Sequence, residues 1–325
     1  MSGGSYAMVA LKPGGPDVLQ RSDISLQPPG PGQVQIEHRA IGVNFIDCYF
    51  RSGLYPWADP TRLIPGSEAA GMISAVGQGV TGFRLGDRVA YTLPNNAYAS
   101  ARNIGAAHVV RLPDEISFET AASVMLKGLT TRYLVKDSFA LKPGQSVLFH
   151  AAAGGVGLLA GQWMRALGVE PVGTAGGAEK CALAMAHGFA RMIDYRAQDL
   201  LDAARALEPE GFHVVYDSIG KDTLMSSLRA LRLHGTLVNF GQSSGPVTDF
   251  RISDLATGSF HLTRPVLFHF TSDRAWLEGA AEELFGLIAD GRIRVRTQHA
   301  PLQDAARVHA DLEGRRTTGS TVLIP

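Results

Sequence analysis

The stretch Ser146-Val147-Leu148-Phe149-His150-Ala151-Ala152-Ala153-Gly154-Gly155-Val156-Gly157-Leu158-Leu159-Ala160 decides the fold. An apolar run, a knot of small residues and an amphipathic stretch read as strand, tight turn and helix. G-x-G-x-x-A falls at Gly155, Gly157 and Ala160. One glycine makes the turn, the next lets backbone approach a pyrophosphate, and the small third residue lets the helix pack closely on the strand. The helix N-terminus then offers N–H groups and a partial positive charge to phosphate. A turn that binds nothing could carry similar glycines, so the residues C-terminal to the turn decide between the two. Apolar runs of strand length at 170–174, 192–194, 214–217 and 236–240 alternate with helical stretches at 156–167, 179–187, 197–207 and 222–231. That alternation implies right-handed crossovers and a doubly wound parallel sheet of the α/β class. Gly154, Gly155, Val156 and Gly157 are therefore assigned to a dinucleotide.

The choice of dinucleotide turns on the end of the second strand, where NAD enzymes place an acid on the ribose 2′-OH. Here the chain reads Val172-Gly173-Thr174-Ala175-Gly176-Gly177-Ala178-Glu179-Lys180, with no acid where strand becomes loop. An acid repels a 2′-phosphate, whereas small residues followed by Lys180 accept one. The third strand ends in Tyr195-Arg196, a second donor pair for the same phosphate. Singly, Lys180 reads as a solvated helix residue and Arg196 as a surface charge. With the acid missing, the two together favour NADPH over NADH.

On either side of this β/α portion the rhythm differs. Up to about residue 125 the chain is mainly β in character, with runs at 33–40, 71–77 and 88–92 separated by clusters such as Gly-Pro-Gly at 30–32. After residue 260 it turns irregular, with a helix expected at 274–290 and a last strand near 321–324. A nucleotide domain at 126–267 inserted into a discontinuous domain at 1–125 and 268–325 accounts for both flanks. The 325 residues carry 30 Lys plus Arg against 30 Asp plus Glu, a net charge of zero, so there is no electrostatic drive toward nucleic acid or an anionic membrane. With 45% hydrophobic and 18% charged residues, there is ample material for buried cores. Two cysteines, Cys48 and Cys181, make neither a disulfide framework nor a Cys-built zinc lobe, and suit a reducing compartment. The N-terminus lacks the basic and apolar regions of an export signal. The uncharged stretch 151–164 holds four glycines and is too short to span a bilayer. A soluble cytoplasmic protein is expected.

Several motifs stand in order along the chain: Asn44-Phe45-Ile46-Asp47, Arg51-Ser52-Gly53-Leu54-Tyr55-Pro56, Pro65-Gly66-Ser67-Glu68-Ala69-Ala70-Gly71, Gly86-Asp87-Arg88-Val89, Leu126-Lys127-Gly128-Leu129-Thr130 and the turn at 150–157. Through them the chain resembles, over essentially its whole length, the zinc-independent quinone oxidoreductases of the medium-chain dehydrogenase/reductase superfamily, the zeta-crystallin-like NADPH:quinone reductases. The resemblance implies a GroES-like β-rich catalytic domain around a Rossmann domain, and a homodimer. Zinc-dependent cousins hold their metal through a Cys at the position of Asn44 and a His at that of Ser67. Two of about three required ligands are thus missing here, and no metal is expected. Cys48 has no His partner at metal-motif spacing, and His38 and His108 stand singly.

Without a Lewis acid the acceptor must be easily reduced. A quinone becomes an aromatic hydroquinone anion that needs little beyond hydrogen-bond donors, while an unactivated ketone becomes an alkoxide that must be stabilised. The resemblance implies that Asn44, Tyr49 and Tyr55 face nicotinamide and acceptor as donors, where composition alone would make the tyrosines ordinary packing. It also implies cofactor contacts from Phe45 and Asp47, Asp47 ordering its loop rather than moving protons, and from Lys127 and Thr130 at the start of the first linking helix. Gly176, Lys180 and Tyr195 would hold the adenosine phosphate. Ser218 follows the fourth strand and Phe240, Gly241 and Ser243 the fifth, where strand ends open onto the cofactor. Arg315 is either a partner of cofactor phosphate or carboxamide, or a solvated turn residue. Gln242 stands where relatives vary. Reduction of an activated C=C bond in an enal, enone or enoyl thioester suits the same metal-free geometry, and no residue here separates the two. A non-enzymatic RNA-binding or structural role has no charge pattern or aromatic motif behind it. The β-prone run at 259–267 lies at the far end of the sheet, and pairing it across a two-fold axis would give the homodimer.

Overall fold

The computed structural model describes residues 4–325, so the first three residues of the N-terminal stretch lie outside the described part. Two compact units emerge, one of residues 1–129, 268–289 and 295–325 and one of residues 130–267 and 290–294.

The second unit is built on a six-stranded sheet, in the spatial order Arg191–Asp194, Val172–Ala175, Val147–Phe149, Phe212–Asp217, Leu231–Asn239, His261–Thr263, with every pair parallel. In order of appearance this is 3-2-1-4-5-6, the doubly wound Rossmann arrangement, whose ligand crevice lies at the strand C-termini where the order reverses. The strands read as unbroken apolar runs because helices cover both faces: Val147–Phe149 and Val172–Ala175 are buried at every residue. Leu148, Val172, Ile193, Phe212, Val215 and Leu237 from the sheet form a core with Ala204, Leu224 and Leu228 from the helices.

Element ends depart from the expected ones for local reasons. The third helix begins at Leu200, not 197, because the Asp199 side chain accepts the N–H groups of Leu201 and Asp202. The fourth is shortened to Leu224–Ala230, since Asp217 captures the N–H groups of Ile219 and Gly220 ahead of it and Leu231 is already extended. Of the run 259–267 only His261–Thr263 pairs, and a helix begins at Leu267.

The first unit carries a seven-stranded sheet with Gln33–Gly42 at its centre, flanked by Ser320–Ile324, Glu68–Val76 and Ala101–Gly105. Gln33–Gly42 alternates buried and open residues through most of its length, the period-2 signature of a sheet with one covered face. Val34, Ile36, Ile41, Ile73, Val89, Tyr91 and Leu323 meet in its core. The mainly β reading of residues 1–125 missed the helix Phe45–Ser52, which carries most of the motif residues of that region. Eight residues are too few to show a 3.6-residue period. The punctuation was present nonetheless: Asn44 is extended at the N-cap and Gly53 closes the helix at φ 82°. Among the described residues no helix is long and apolar enough to cross a membrane.

Candidate active site

In the first unit the strand Glu68–Val76 begins with a fully buried carboxylate. Glu68 Oε1 accepts from Asn44 Nδ2 at 2.8 Å and from Lys127 Nζ at 2.8 Å, while Oε2 accepts the Leu126 N–H at 2.6 Å. A carboxylate can only accept here, so the Asn44 amide must turn its NH₂ to Glu68, leaving Oδ1 and one N–H for another partner. Lys127 and Thr130 lie in the last turns of the helix Phe118–Tyr133 rather than at its start, with Lys127 in the first unit and Thr130 in the second.

Asp47, in the first turn of its helix, is fully buried. Its Oδ2 accepts the Asn44 N–H at 2.9 Å and the Tyr98 hydroxyl at 3.2 Å, and its Oδ1 accepts Ser67 Oγ at 2.7 Å. Burial pushes the carboxyl up to about 7, with the Ser67 and Asn44 hydrogen bonds opposing the shift. Because Tyr98 donates to Asp47, it must accept from His309 Nε2, 2.9 Å away. His309 Nδ1 then faces Arg51 Nη1 at 3.4 Å and Cys48 Sγ at 3.5 Å. Burial holds His309 down at about 3 and pushes the Cys48 thiol up, so a neutral ring meets a neutral thiol. Arg51 closes the series in a bidentate pair with Glu313. Spacing offered Cys48 no histidine; the fold supplies one from 261 residues away.

The three aromatic rings beside Asn44 form a ladder. Phe45 and Tyr49 are 6.5 Å apart and Tyr49 and Tyr55 5.3 Å apart, with both tyrosines half-buried. Arg315 lies on the exposed turn after the helix Ala305–Glu313, at φ 58°. Among the described residues no three of His, Cys, Asp and Glu are grouped to hold a metal ion.

In the second unit the glycine turn has the expected shape. Gly154 caps the helix Gly155–Ala166 without a side chain. A Cβ on Gly157 would stand 2.5 Å from the carbonyl oxygens of Ala151 and Ala152, a close approach open only to glycine. At the second strand end a Cβ on Gly176 would reach Tyr195 Oη at 2.6 Å, and Gly177 lies near Arg196 Nη1, so Gly176, Tyr195 and Arg196 come together. Lys180 follows one turn into the helix Ala178–Ala186. Asp194, at the end of the third strand, turns its Oδ1 to the Gly177 and Arg196 N–H groups at 2.8 and 3.0 Å. Ser218, Gly241 and Ser243 also meet: the Ser243 N–H donates to Ser218 O, and a Cβ on Gly241 would strike that oxygen. Phe240 packs on Phe149 at 5.7 Å. Asn239, which ends the fifth strand, keeps a buried Nδ2 with no hydrogen-bond partner. Bare helix N-terminus, backbone-only cradle and orphaned donor at the strand C-termini together fit a dinucleotide.

A quinone oxidoreductase of Pseudomonas aeruginosa is 50% identical over 319 residues, 96% of this chain and 97% of its own. This chain belongs to the quinone oxidoreductases. They form part of the medium-chain dehydrogenase/reductase superfamily, and the alcohol dehydrogenase GroES-like domain family matches residues 30–138 and the zinc-binding dehydrogenase family residues 155–282. The solved structure of an Escherichia coli quinone oxidoreductase complexed with NADPH superposes with a TM-score of 0.94 at 44% identity, covering 98% of this chain and all of that one. A 2-haloacrylate reductase from a Burkholderia species is 39% identical over 98% of both chains. The Rossmann sheet and GroES-like β-rich domain expected for this family are both present.

Sequence reasoning passed over Glu68, Tyr98, His309, Asp194 and Asp217. Glu68 had a local signal in Gly66-Ser67-Glu68, and Asp217 and Asp194 bond partners a few residues on, whereas Tyr98 and His309 are joined by the fold alone.

Proposed function

We propose that this chain is an NADPH-dependent, metal-free reductase of quinones. The observation that carries the cofactor choice is the acid-free end of the second strand, where Tyr195 and Arg196 close on Gly176 and Gly177. Gly176, Tyr195 and Arg196 stand together there, Asp194 turns its Oδ1 away to two backbone N–H groups, and Lys180 follows in the first turn of the next helix, a donor set suited to a 2′-phosphate. The E. coli relative bound to NADPH supports the same choice. Gly154, Gly155, Val156 and Gly157 would take the pyrophosphate, and Ser218, Phe240, Gly241 and Ser243 would line the nicotinamide half, with Thr130, Phe45 and Arg315 as further contacts. Bound NADPH would supply a hydride, which with one proton from solvent would turn a quinone into its hydroquinone. The chain's own part is to orient and to donate. Glu68 locks the Asn44 amide so that one N–H and Oδ1 stay available, and the Tyr49 and Tyr55 hydroxyls are further donors for developing oxyanion charge. Lys127, buried against Glu68, offsets that carboxylate so that it does not repel developing negative charge beside Asn44. Asp47, saturated by three donors, holds the loop.

The 2-haloacrylate reductase at 39% identity supports a second reading, reduction of an activated C=C bond, with which the same donors are compatible. NADPH oxidation by purified protein with a small benzoquinone, a 2-alkenal and 2-haloacrylate separates the two. Turnover of the quinone at the highest kcat/KM is expected, and turnover of the alkenes alone would sink the assignment. Assembly as a homodimer would pair the edge strand His261–Thr263 with its symmetry mate, and sedimentation giving a monomer at micromolar concentration would refute it. Two free cysteines suit a cytoplasmic location.

A further inference from the structure

His150 is the residue between the strand Val147–Phe149 and the glycine turn, and it is almost fully buried. Its ring bridges the second strand and the helix Leu224–Ala230. Nδ1 lies 3.0 Å from Thr174 Oγ1 at the end of the second strand, and Nε2 lies 2.9 Å from Ser227 Oγ. Ser227 Oγ in turn donates to Asp217 Oδ2 at 3.0 Å, at the end of the fourth strand.

Hydrogen positions in this chain of bonds are set at its far end. Asp217 is an acceptor on every contact: Oδ1 takes the Ile219 and Gly220 N–H groups at 2.7 and 3.1 Å, and Thr223 Oγ1 touches both oxygens. The single Ser227 hydrogen therefore points at Asp217, so Ser227 must accept from His150 Nε2–H. Nδ1 is left with a lone pair and accepts from the Thr174 hydroxyl. Every bond runs one way, Thr174 to His150 to Ser227 to Asp217, and only one neutral tautomer satisfies it. Burial holds the ring below its ordinary pKa, consistent with that tautomer.

The next residue, Ala151, holds φ 54°, a left-handed conformation that costs a non-glycine residue about 1 kcal/mol or more and persists only where surrounding contacts over-determine it. His150 N–H to Tyr216 O and Ala152 N–H to Thr174 O bracket Ala151 on both sides, and the ring ties the same second strand directly and the fourth through Ser227 and Asp217.

We propose that His150 is the positioning residue of the phosphate-binding turn. Without touching the ligand, it holds Ala151–Gly154, and with it the N-terminus of the helix Gly155–Ala166, in register with the second and fourth strand ends. The inference rests on the dinucleotide reading of that turn.

The test uses the full chain and three substitutions: His150→Phe, which keeps ring volume and deletes both bonds; His150→Gln, whose amide can still donate to Ser227; and Thr174→Val, which deletes one hydroxyl. NADPH binding is titrated calorimetrically, beside initial rates and melting of the free protein. His150→Phe should weaken NADPH binding about tenfold or more, the scale of one orphaned buried group, with the loss falling on KM for NADPH more than on kcat. His150→Gln should recover most of it, and Thr174→Val should weaken binding in the same sense. A His150→Phe protein that melts earlier yet binds NADPH within about twofold of the parent would overturn the proposal, leaving His150 a stabilising residue only. If that variant does not fold, Thr174→Val decides by the same two outcomes. Failure of the unmodified chain to bind NADPH would instead remove the dinucleotide reading, and the inference with it.

Discussion

Lys127 Nζ lies 2.8 Å from Glu68 Oε1, with side-chain exposures of 7% and 0%. A pair so far from water adds little over an apolar pair, because desolvation cancels much of the attraction, but removing one member strands a buried charge. Lys127→Met should therefore destabilise the protein by about 3 kcal/mol, read as a shift in urea midpoint. The double substitution Lys127→Met/Glu68→Gln should cost less than the sum of the two single ones. Strict additivity would show that the pair is not coupled.

Asp47 gives stability a pH dependence of unusual sign for a carboxylate. Its folded value of about 7 lies above the ordinary 3.8, so between those limits the folded state holds a proton that the unfolded chain has released. The contribution is complete below about pH 3.8, is lost as pH rises to about 7 and is level beyond. Asp47→Asn should flatten this slope and still fold, since Nδ2 can face Ser67, whose hydroxyl can turn to accept, while Oδ1 keeps the Asn44 and Tyr98 donors. Urea midpoints of both proteins from pH 4 to 8 check it; identical slopes would be inconsistent with a raised Asp47.

Cofactor choice is tested at Lys180. Lys180→Ala should raise the Michaelis constant for NADPH about tenfold or more, the loss of one charge-assisted contact to phosphate, and leave that for NADH nearly unchanged. Steady-state rates with each cofactor and a fixed benzoquinone give the ratio. Equal effects on both would remove Lys180 from the 2′-phosphate.

Two glycines of the nucleotide unit should respond differently to alanine. At Gly157 the added methyl meets the carbonyl oxygens of Ala151 and Ala152, main-chain atoms of the turn that cannot swing aside, so Gly157→Ala should cost about 2–3 kcal/mol and most NADPH binding. At Gly176 it meets the hydroxyl of a partly exposed tyrosine, Tyr195, which can swing away, so Gly176→Ala should change stability by about 0.5 kcal/mol or less. Calorimetric melting of both variants makes the comparison, and equal losses would contradict the backbone-against-side-chain distinction.

Much of the nucleotide unit is readable along the chain because the responsible interactions are local. The turn at Gly154–Gly157, the bare strand end at Gly176 and the alternation of strand and helix each depend on residues within a few positions of one another. The helix Phe45–Ser52 escapes a sequence reading because two amphipathic turns between Gly- and Pro-rich segments do not repeat often enough to show a period. Lys127 and Thr130, expected at a helix start, stand in its last turns, because helix boundaries are set by capping and packing more than by composition.

The amino-acid order by itself determined the Rossmann alternation, the glycine turn and the lack of an acid after the second strand, all of them properties of residue type and spacing, and through the family resemblance it implied that Asn44 and Ser67 replace metal-binding residues. Only the tertiary structure decided where the remaining acids are spent. Asp194 faces backbone N–H groups, Asp47 three donors, Glu68 a lysine and an amide, and Asp217 the end of the His150 chain. The physical reason is that a buried carboxylate must find its donors in space. Glu68 reaches Lys127 across 59 residues and Tyr98 reaches His309 across 211, distances at which hydrophobic burial sets the neighbours and sequence separation does not.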